Sequence, residues 1–362
     1  MIMTSLQRYP PSSDRSLRVF SAADRLLIEW AVASSGSATK ATPLTVVHDR
    51  FGAVALSVGG AVDVVGSYHS QEEALRRNAS GHLPAIYPLT AAPPAVSRAV
   101  VRIPKSIALW EYYLAYLAGG ASATTTVAAG FMTRHFTPQW LAVAGRYATE
   151  VTQSRARQKG RLLLLSGFKE SVPTVPLQHL DYGGRTYRQY AGVFSGKHID
   201  HATQFLLAAW SSQPQLRDLP APARILDIAC GNGVIGDQLL LRYPEARLTA
   251  LDDFSLAVAS ARLNLPPARS EVMYAHTLRA VPDASQDLVV INPPFHFGYE
   301  NNIEVSLGLF AQVPRVLTKE GSLVIVANCH LNYATHLHPR WQVSVVAESE
   351  KYIVYHCRAP RP

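Results

Sequence analysis

Cysteine is scarce in this chain of 362 residues: Cys230, Cys329 and Cys357 are odd in number and far apart. That spacing offers neither a disulfide framework nor a cysteine-based zinc site, so a reducing compartment is expected. His198 and His201 lie three residues apart with no further ligand in view, and no metal is expected. Long apolar runs are missing as well. The most apolar long window, Ala108 to Phe131, is broken by Glu111 and by Thr, Ser and Gly, and reads as part of a soluble domain rather than a membrane span. Met1 to Arg25 mixes Arg and Asp with polar residues and lacks the apolar centre of a signal peptide. The cytoplasm is the expected location, with no membrane association.

What is present begins with length and charge. The chain is long enough for two domains with full cores. Its net charge is +8, unevenly spread: residues 1–215 hold 21 Lys and Arg against 12 Asp and Glu, and residues 216–362 hold 13 against 14. A basic accessory part beside a neutral one is what a polyanionic substrate would select. Arg155, Arg157, Lys159 and Arg161 form the densest basic stripe. A solvated face that keeps the protein soluble fits that segment as well.

Short apolar strands alternate with amphipathic helices along the whole chain, which argues for parallel sheets covered on both faces. Strands are expected at Leu44–Val47, Ala61–Val65, Arg98–Ile103 and Arg161–Leu165, and helices at Arg25–Ala33, Gln71–Asn78, Ile107–Leu117 and within Phe131–Val151. Pro173, Pro176 and the Gly183-Gly184 pair mark a loop-rich passage, placing the boundary between a first domain, 1–184, and a second, 185–362.

Two stretches of the second domain carry chemistry. Arg224-Ile-Leu-Asp227-Ile-Ala-Cys230-Gly231-Asn232-Gly233-Val-Ile-Gly236 reads as a strand, a glycine-rich turn and a helix start, where the backbone can approach a ligand closely. About twenty residues later the next strand ends in Asp252-Asp253, where an acid accepts from ribose hydroxyls in nucleotide-binding folds. Asp227 beside the turn disfavours a pyrophosphate and favours a cationic or zwitterionic nucleoside, and S-adenosylmethionine fits. The second stretch is the apolar run Leu288–Ile291 leading into Asn292-Pro293-Pro294-Phe295. The prolines end the strand and stiffen the backbone. The Asn292 side-chain oxygen and the Pro293 carbonyl are placed to accept from one exocyclic amine, and Phe295 to stack on the ring that bears it.

Asp227-x-x-Cys-Gly-Asn-Gly-x-x-Gly236, the Asp252 strand end and Asn292-Pro-Pro-Phe-His296 resemble the class I S-adenosylmethionine methyltransferases that modify exocyclic amines. With Gly192-Val-Phe-Ser195, Ala257 to Asn264 and Gly321 to Asn328, the chain resembles more narrowly the paired ribosomal RNA guanine-N2 methyltransferases of the RsmC/RlmG type. Asn328 to Tyr333 and Pro293 to His296 look closer to the large-subunit branch. The resemblance implies an α/β fold of two tandem class I (Rossmann-like) methyltransferase domains, the N-terminal copy degenerate and docking RNA. It implies a monomer that transfers methyl to guanine N2 in large-subunit ribosomal RNA. It places Asp227 near the methionine amino group, Asp252 or Asp253 on the ribose, Cys230 to Gly233 along the cofactor and Phe194 beside it. The stretch Ala275-His276-Thr277 departs from relatives that set Asp or Asn against the adenine.

An internal repeat supports the tandem. Ala74 to Asn78 parallels Ser260 to Asn264, and Val100 to Pro104 parallels Val289 to Pro293. On that alignment Ile103 replaces Asn292, Arg50-Phe51-Gly52 replaces Gly231-Asn232-Gly233, and Ser67 stands near Asp253. Each replacement removes something the chemistry needs, so the first copy is expected neither to bind cofactor nor to catalyse. A small-subunit guanine-N2 enzyme, a protein-glutamine N-methyltransferase and a non-catalytic RNA-binding protein remain the alternatives.

Overall fold

Val- and Leu-rich runs bounded by Gly, Pro and Asp form buried strands, and the segments between them form helices that shield both faces of each mostly parallel sheet. The computed structural model describes residues 6–12, 18–36, 43–294, 296–297, 300–301 and 303–358. The chain divides into two compact units, Met1–Pro176 and Leu177–Pro362.

The first unit contains α1 (Ala22–Ala33), β1 (Leu44–Val47), β2 (Val62–Gly66), α2 (His69–Asn78), β3 (Ala85–Pro88) and β4 (Val96–Arg102). It continues with α3 (Ile107–Gly120), β5 (Ala121–Met132), α4 (Pro138–Tyr147), β6 (Ala148–Gln153) and β7 (Gly160–Phe168). Its sheet runs β3-β2-β1-β4-β5-β7-β6, with β7 antiparallel to both neighbours. The helix expected within Phe131–Val151 is α4. The β5 strand extends through Met132 because β7 pairs with it that far, and Thr137 with Pro138 then caps and starts the helix.

The second unit opens with the hairpin β8 (Gln178–Tyr182) and β9 (Arg185–Gln189), then α5 (His201–Ser212), α6 (Pro214–Arg217), β10 (Arg224–Ile228), α7 (Val234–Arg242) and β11 (Arg247–Asp252). There follow α8 (Ser255–Asn264), β12 (Ser270–Tyr274), β13 (Gln286–Ile291), β14 (His296–Phe297), β15 (Glu300–Asn301) and α9 (Glu304–Phe310). The last strands are β16 (Leu317–Asn328), β17 (Gln342–Glu348) and β18 (Tyr352–Arg358). The sheet order β12-β11-β10-β13-β16-β18-β17 is the same permutation as in the first unit. Alternate strand residues feed two cores. Ile225, Leu248 and Leu288 meet Leu206 and Trp210 of α5 and Leu239 of α7 on one face, and Leu226, Val289 and Ile325 meet Phe310 of α9 on the other.

The units part at Pro176, eight residues before the boundary expected from sequence. The β8–β9 hairpin belongs to the second unit because Leu180 and Tyr187 enter its core and the Tyr187 hydroxyl donates to Asp237 on α7 at 2.7 Å.

The repeat is visible in backbone detail. His48 and Ala229, each just after the first strand of its sheet, both have positive φ (61° and 58°), as do Gly52 and Gly233 four residues on (73° and 84°). The Asn78 side chain donates to the Phe51 carbonyl at 2.9 Å, and Asn264 donates to the Asn232 carbonyl at 2.8 Å. With Val47 aligned to Ile228, the strand registers pair Val101 with Ile291. The counterpart of Asn292 is therefore Arg102, one residue earlier than the sequence parallel suggested.

The first copy is degenerate. Where α7 follows the turn in the second unit, the first has only a short turn over residues 53–57, held by the Asp49 carboxylate accepting from Ala53, Val54 and Ala55. At the counterpart of the cofactor turn, a cavity of about 10 Å³ remains among Asp49, Gly52, Gly66 and Glu72, too small for a nucleoside. Arg102 is tied to Asp24 at 3.3 Å.

Asn264→Ala is expected to destabilise the second unit by about 1–3 kcal/mol, because it leaves the Asn232 and Arg188 carbonyls without their amide donor. Asn78→Ala should act likewise on the first unit. Urea unfolding followed by amide exchange in each unit reads both, and unchanged protection around the turns would refute the shared pin.

Candidate active site

The site is assembled at the C-terminal ends of β10, β11 and β13, where parallel α/β sheets leave a crevice. Asp227 is fully buried on β10. One carboxylate oxygen accepts from the Gly236 amide at 3.0 Å, while the other has no partner. Gly236 permits this contact: a Cβ there would meet Leu248 at 2.5 Å. Burial, with the charge of Asp252 adding to it, pushes the Asp227 carboxyl up to about 8.

The turn between β10 and α7 is shaped for close approach. Gly231 has φ 56°, and a Cβ there would meet nothing within 4 Å, so its backbone faces open space. The Gly231 amide donates to one oxygen of Asp252 at 2.9 Å, and Phe254 donates to the other at 2.9 Å. Each oxygen keeps a further lone pair for a ligand hydroxyl. Burial raises the Asp252 carboxyl too. Asp253 follows it, half-buried.

Other residues singled out in sequence turn out to brace the turn. The Asn232 side chain donates to Gln189 on β9 at 2.9 Å and accepts from the Val234 amide, so it holds the turn from inside. Cys230 is buried, and burial holds its thiol well above the ordinary range, which makes it a packing residue rather than a nucleophile. Phe194, in the loop before α5, is 62 % exposed and is no ordinary core aromatic.

Asn292 follows the last residue of β13, half-buried, with Pro293 buried and Pro294 exposed. Its side-chain amide donates to Asp200 Oδ2 at 2.9 Å and to Thr203 Oγ1 at 3.0 Å, both at the start of α5. The Pro294 carbonyl accepts from the buried Ser306 hydroxyl of α9 at 2.6 Å, which pins the backbone after the motif. Phe295 lies outside the described residues. The structure thus brings Asp227, Gly231, Asp252 and Asn292 to one end of one sheet, since β10 pairs with both β11 and β13. Asp200, Thr203, Gln189, Asn264 and Ser306 were not singled out from sequence as site residues. For Asp200 a local signal exists, an acid three residues ahead of Thr203 at a helix start.

The residues fit S-adenosylmethionine. The unpartnered Asp227 oxygen suits the amino acid ammonium, the bare Gly231 backbone suits a ligand lying against the turn, and Asp252 suits ribose hydroxyls. Among the described residues no group of His, Cys, Asp and Glu converges to hold a metal. None of their helices is long and apolar enough to cross a membrane.

An ammonium placed on Asp227 would make cofactor affinity pH-dependent, because the carboxyl is raised. Only the ionised form pairs with an ammonium, so affinity should fall as pH drops below about 8, approaching tenfold per unit. Asp227→Asn should bind more weakly at pH 8 and lose that dependence. Calorimetry with S-adenosylmethionine from about pH 6 to 8 checks this, and an unaltered slope in the variant would remove Asp227 as its source.

The Methyltransferase small domain family matches residues 184–356, and the RLMG N-terminal domain family matches residues 2–171. A protein of Streptomyces coelicolor named ribosomal RNA large subunit methyltransferase G is 33% identical, with 96% of each chain covered. Its namesake in Alcanivorax borkumensis is 29% identical over 99% of this chain and 95% of its own. Among solved structures, the Thermus thermophilus 16S rRNA N2 G1207 methyltransferase (RsmC), in complex with AdoMet and guanosine, superposes with a TM-score of 0.75 at 19% identity, covering 97% of this chain and 94% of that one. The chain belongs to the ribosomal RNA large subunit methyltransferase G family.

Proposed function

We propose that this chain transfers the methyl group of S-adenosylmethionine to the exocyclic N2 of a guanine in large-subunit ribosomal RNA. The observation that carries this reading is the Asn292 amide, whose NH2 is consumed by Asp200 and Thr203 and whose oxygen is left to accept from an amine. When bound, the cofactor supplies an electrophilic methyl on a cationic sulfur. Asp227 would pair with its ammonium, Asp252, or Asp253 beside it, would accept from its ribose, and Gly231 would let it lie against the turn. Asn292 Oδ1 and the Pro293 carbonyl accept from the guanine amine and turn its lone pair toward the methyl carbon. The bound cofactor would supply a methyl that passes to N2 as its C–S bond breaks, the amine proton going to solvent, so no strong base is asked of these residues. Phe295 would stack on the extruded base, and the exposed Phe194 stands on the loop that leads into α5.

The first unit, with its cofactor turn filled, would dock RNA. Arg155 and Lys159 are exposed at the turn joining β6 and β7, Arg157 nearby pairs with Glu29, and Arg161 is the second residue of β7. The protein would act in the cytoplasm as a monomer, since one chain already supplies both lobes. A large-subunit target is favoured by relatives about 30% identical over nearly the whole chain that carry that name. A small-subunit target is the second reading, favoured by the fold shared with an enzyme of that class.

Incubation with labelled S-adenosylmethionine and separated ribosomal RNAs is expected to place N2-methylguanosine in large-subunit RNA. Label confined to small-subunit RNA would move the assignment to the second reading, and label in neither would overturn both. Asn292→Ala should lower turnover roughly 100-fold or more with cofactor affinity retained.

A further inference from the structure

An asparagine amide has two faces of opposite chemistry, an oxygen that accepts and an NH2 that donates. Turned the wrong way, Asn292 would present donors to a substrate amine that is itself a donor. Something outside the Asn-Pro-Pro motif has to choose the face.

We propose that Asp200 and Thr203 are the positioning residues that orient the Asn292 amide with its oxygen toward the substrate, an inference that rests on the methyltransferase reading above. An ionised carboxylate is acceptor-only, so the group it meets at 2.9 Å must be the NH2. Thr203 Oγ1 takes the second contact at 3.0 Å. With both made, Oδ1 is the part of the amide directed away from α5. Rotating the amide by half a turn would set its oxygen against the Asp200 carboxylate, acceptor against acceptor.

The orienting pair is itself held in place. Asp200 is the N-cap of the twelve-residue helix α5, and the same Oδ2 accepts from the Thr203 backbone amide at 3.1 Å. That helix is anchored in the core by Ala202, Leu206 and Trp210, and Thr203 is itself buried. The carboxylate is therefore fixed by a cap and a packed helix before any substrate arrives, and its contact joins residues 92 apart in sequence. A negative charge behind the NH2 also polarises the amide, making Oδ1 a stronger acceptor as positive charge grows on the attacking nitrogen.

Orientation by hydrogen bonding differs from mere structural support in what rescues it. Asp200→Ala is expected to lower kcat roughly 10- to 100-fold while the KM for S-adenosylmethionine stays unchanged. Asp200→Asn should keep most activity, because an amide oxygen still accepts and Asn caps helices as well as Asp. Thr203→Val should lose activity and Thr203→Ser should retain it. The sharpest result concerns the reversed pair. Asn292→Asp alone places two carboxylates face to face and should be nearly inactive. Adding Asp200→Asn restores a donor to the contact and leaves one carboxylate oxygen facing the substrate, so activity should return.

A double variant no better than Asn292→Asp, or an Asp200→Ala enzyme at the wild-type rate, would overturn the proposal. Selective 15N labelling of asparagine reads the contact without turnover. The Asn292 side-chain NH2 should be protected from exchange in the wild type and exposed in Asp200→Ala, and equal exchange in both would overturn the orientation. A wild-type chain that methylates no ribosomal RNA refutes the functional reading instead, while the amide signal still decides the orientation.

Discussion

The Asp227 carboxylate sits at the centre of the second sheet with one oxygen bonded to Gly236 and the other unmatched, and the catalytic unit is arranged around that imbalance. Burying a carboxylate without a counter-charge is costly, and its raised proton affinity is the mark of that cost. Asp252 adds a second carboxyl to the same crevice, and its proton affinity is likewise raised by burial. The glycine turn between them leaves backbone facing open space at Gly231, so a cationic nucleoside is admitted against the chain. Asn264 and Gln189 hold the turn open from behind, through Asn232.

The first unit shows what happens when the same frame is released from that constraint. Its strand order, its two positive-φ positions and the asparagine pin between helix and turn are retained, because they serve the packing of a parallel sheet. The parts that serve a ligand are gone. Asp49 turns inward to cap the short turn that stands in place of a helix, Gly66 stands at the strand end that carries Asp252 in the second unit, and Glu72 closes over it. Arg102 takes the place of Asn292 and is held by Asp24. Shared architecture survives loss of the site because sheet packing and ligand chemistry are carried by different residues.

Asn292 belongs to both kinds of constraint. Pro293 and Pro294 stop β13 and stiffen the backbone beyond it, and Ser306 ties the Pro294 carbonyl to α9. The side chain is then oriented from the other direction by α5. Strand, loop and two helices converge on one amide, an arrangement that suits the proposed placing of a lone pair.

Most of the second unit was legible in sequence because its signals are local. An apolar run before Asp227, glycines at 231, 233 and 236, an acid at the next strand end and two prolines after Asn292 each act through their own backbone, and the periodicity places them at strand ends. The repeat was legible for the same reason, though its register was not. A parallel of short apolar stretches slides by one residue at no cost, and only the strand pairing of Val101 with Val47, set beside Ile291 with Ile228, identifies Arg102 as the counterpart of Asn292. Tertiary structure alone decided that the β8–β9 hairpin packs into the second core through Leu180 and Tyr187, and that Asp200 and Thr203 reach Asn292 across 92 and 89 residues. Those contacts depend on where packed helices come to rest in space. No local pattern encodes that position, since it is set by the burial of many side chains at once.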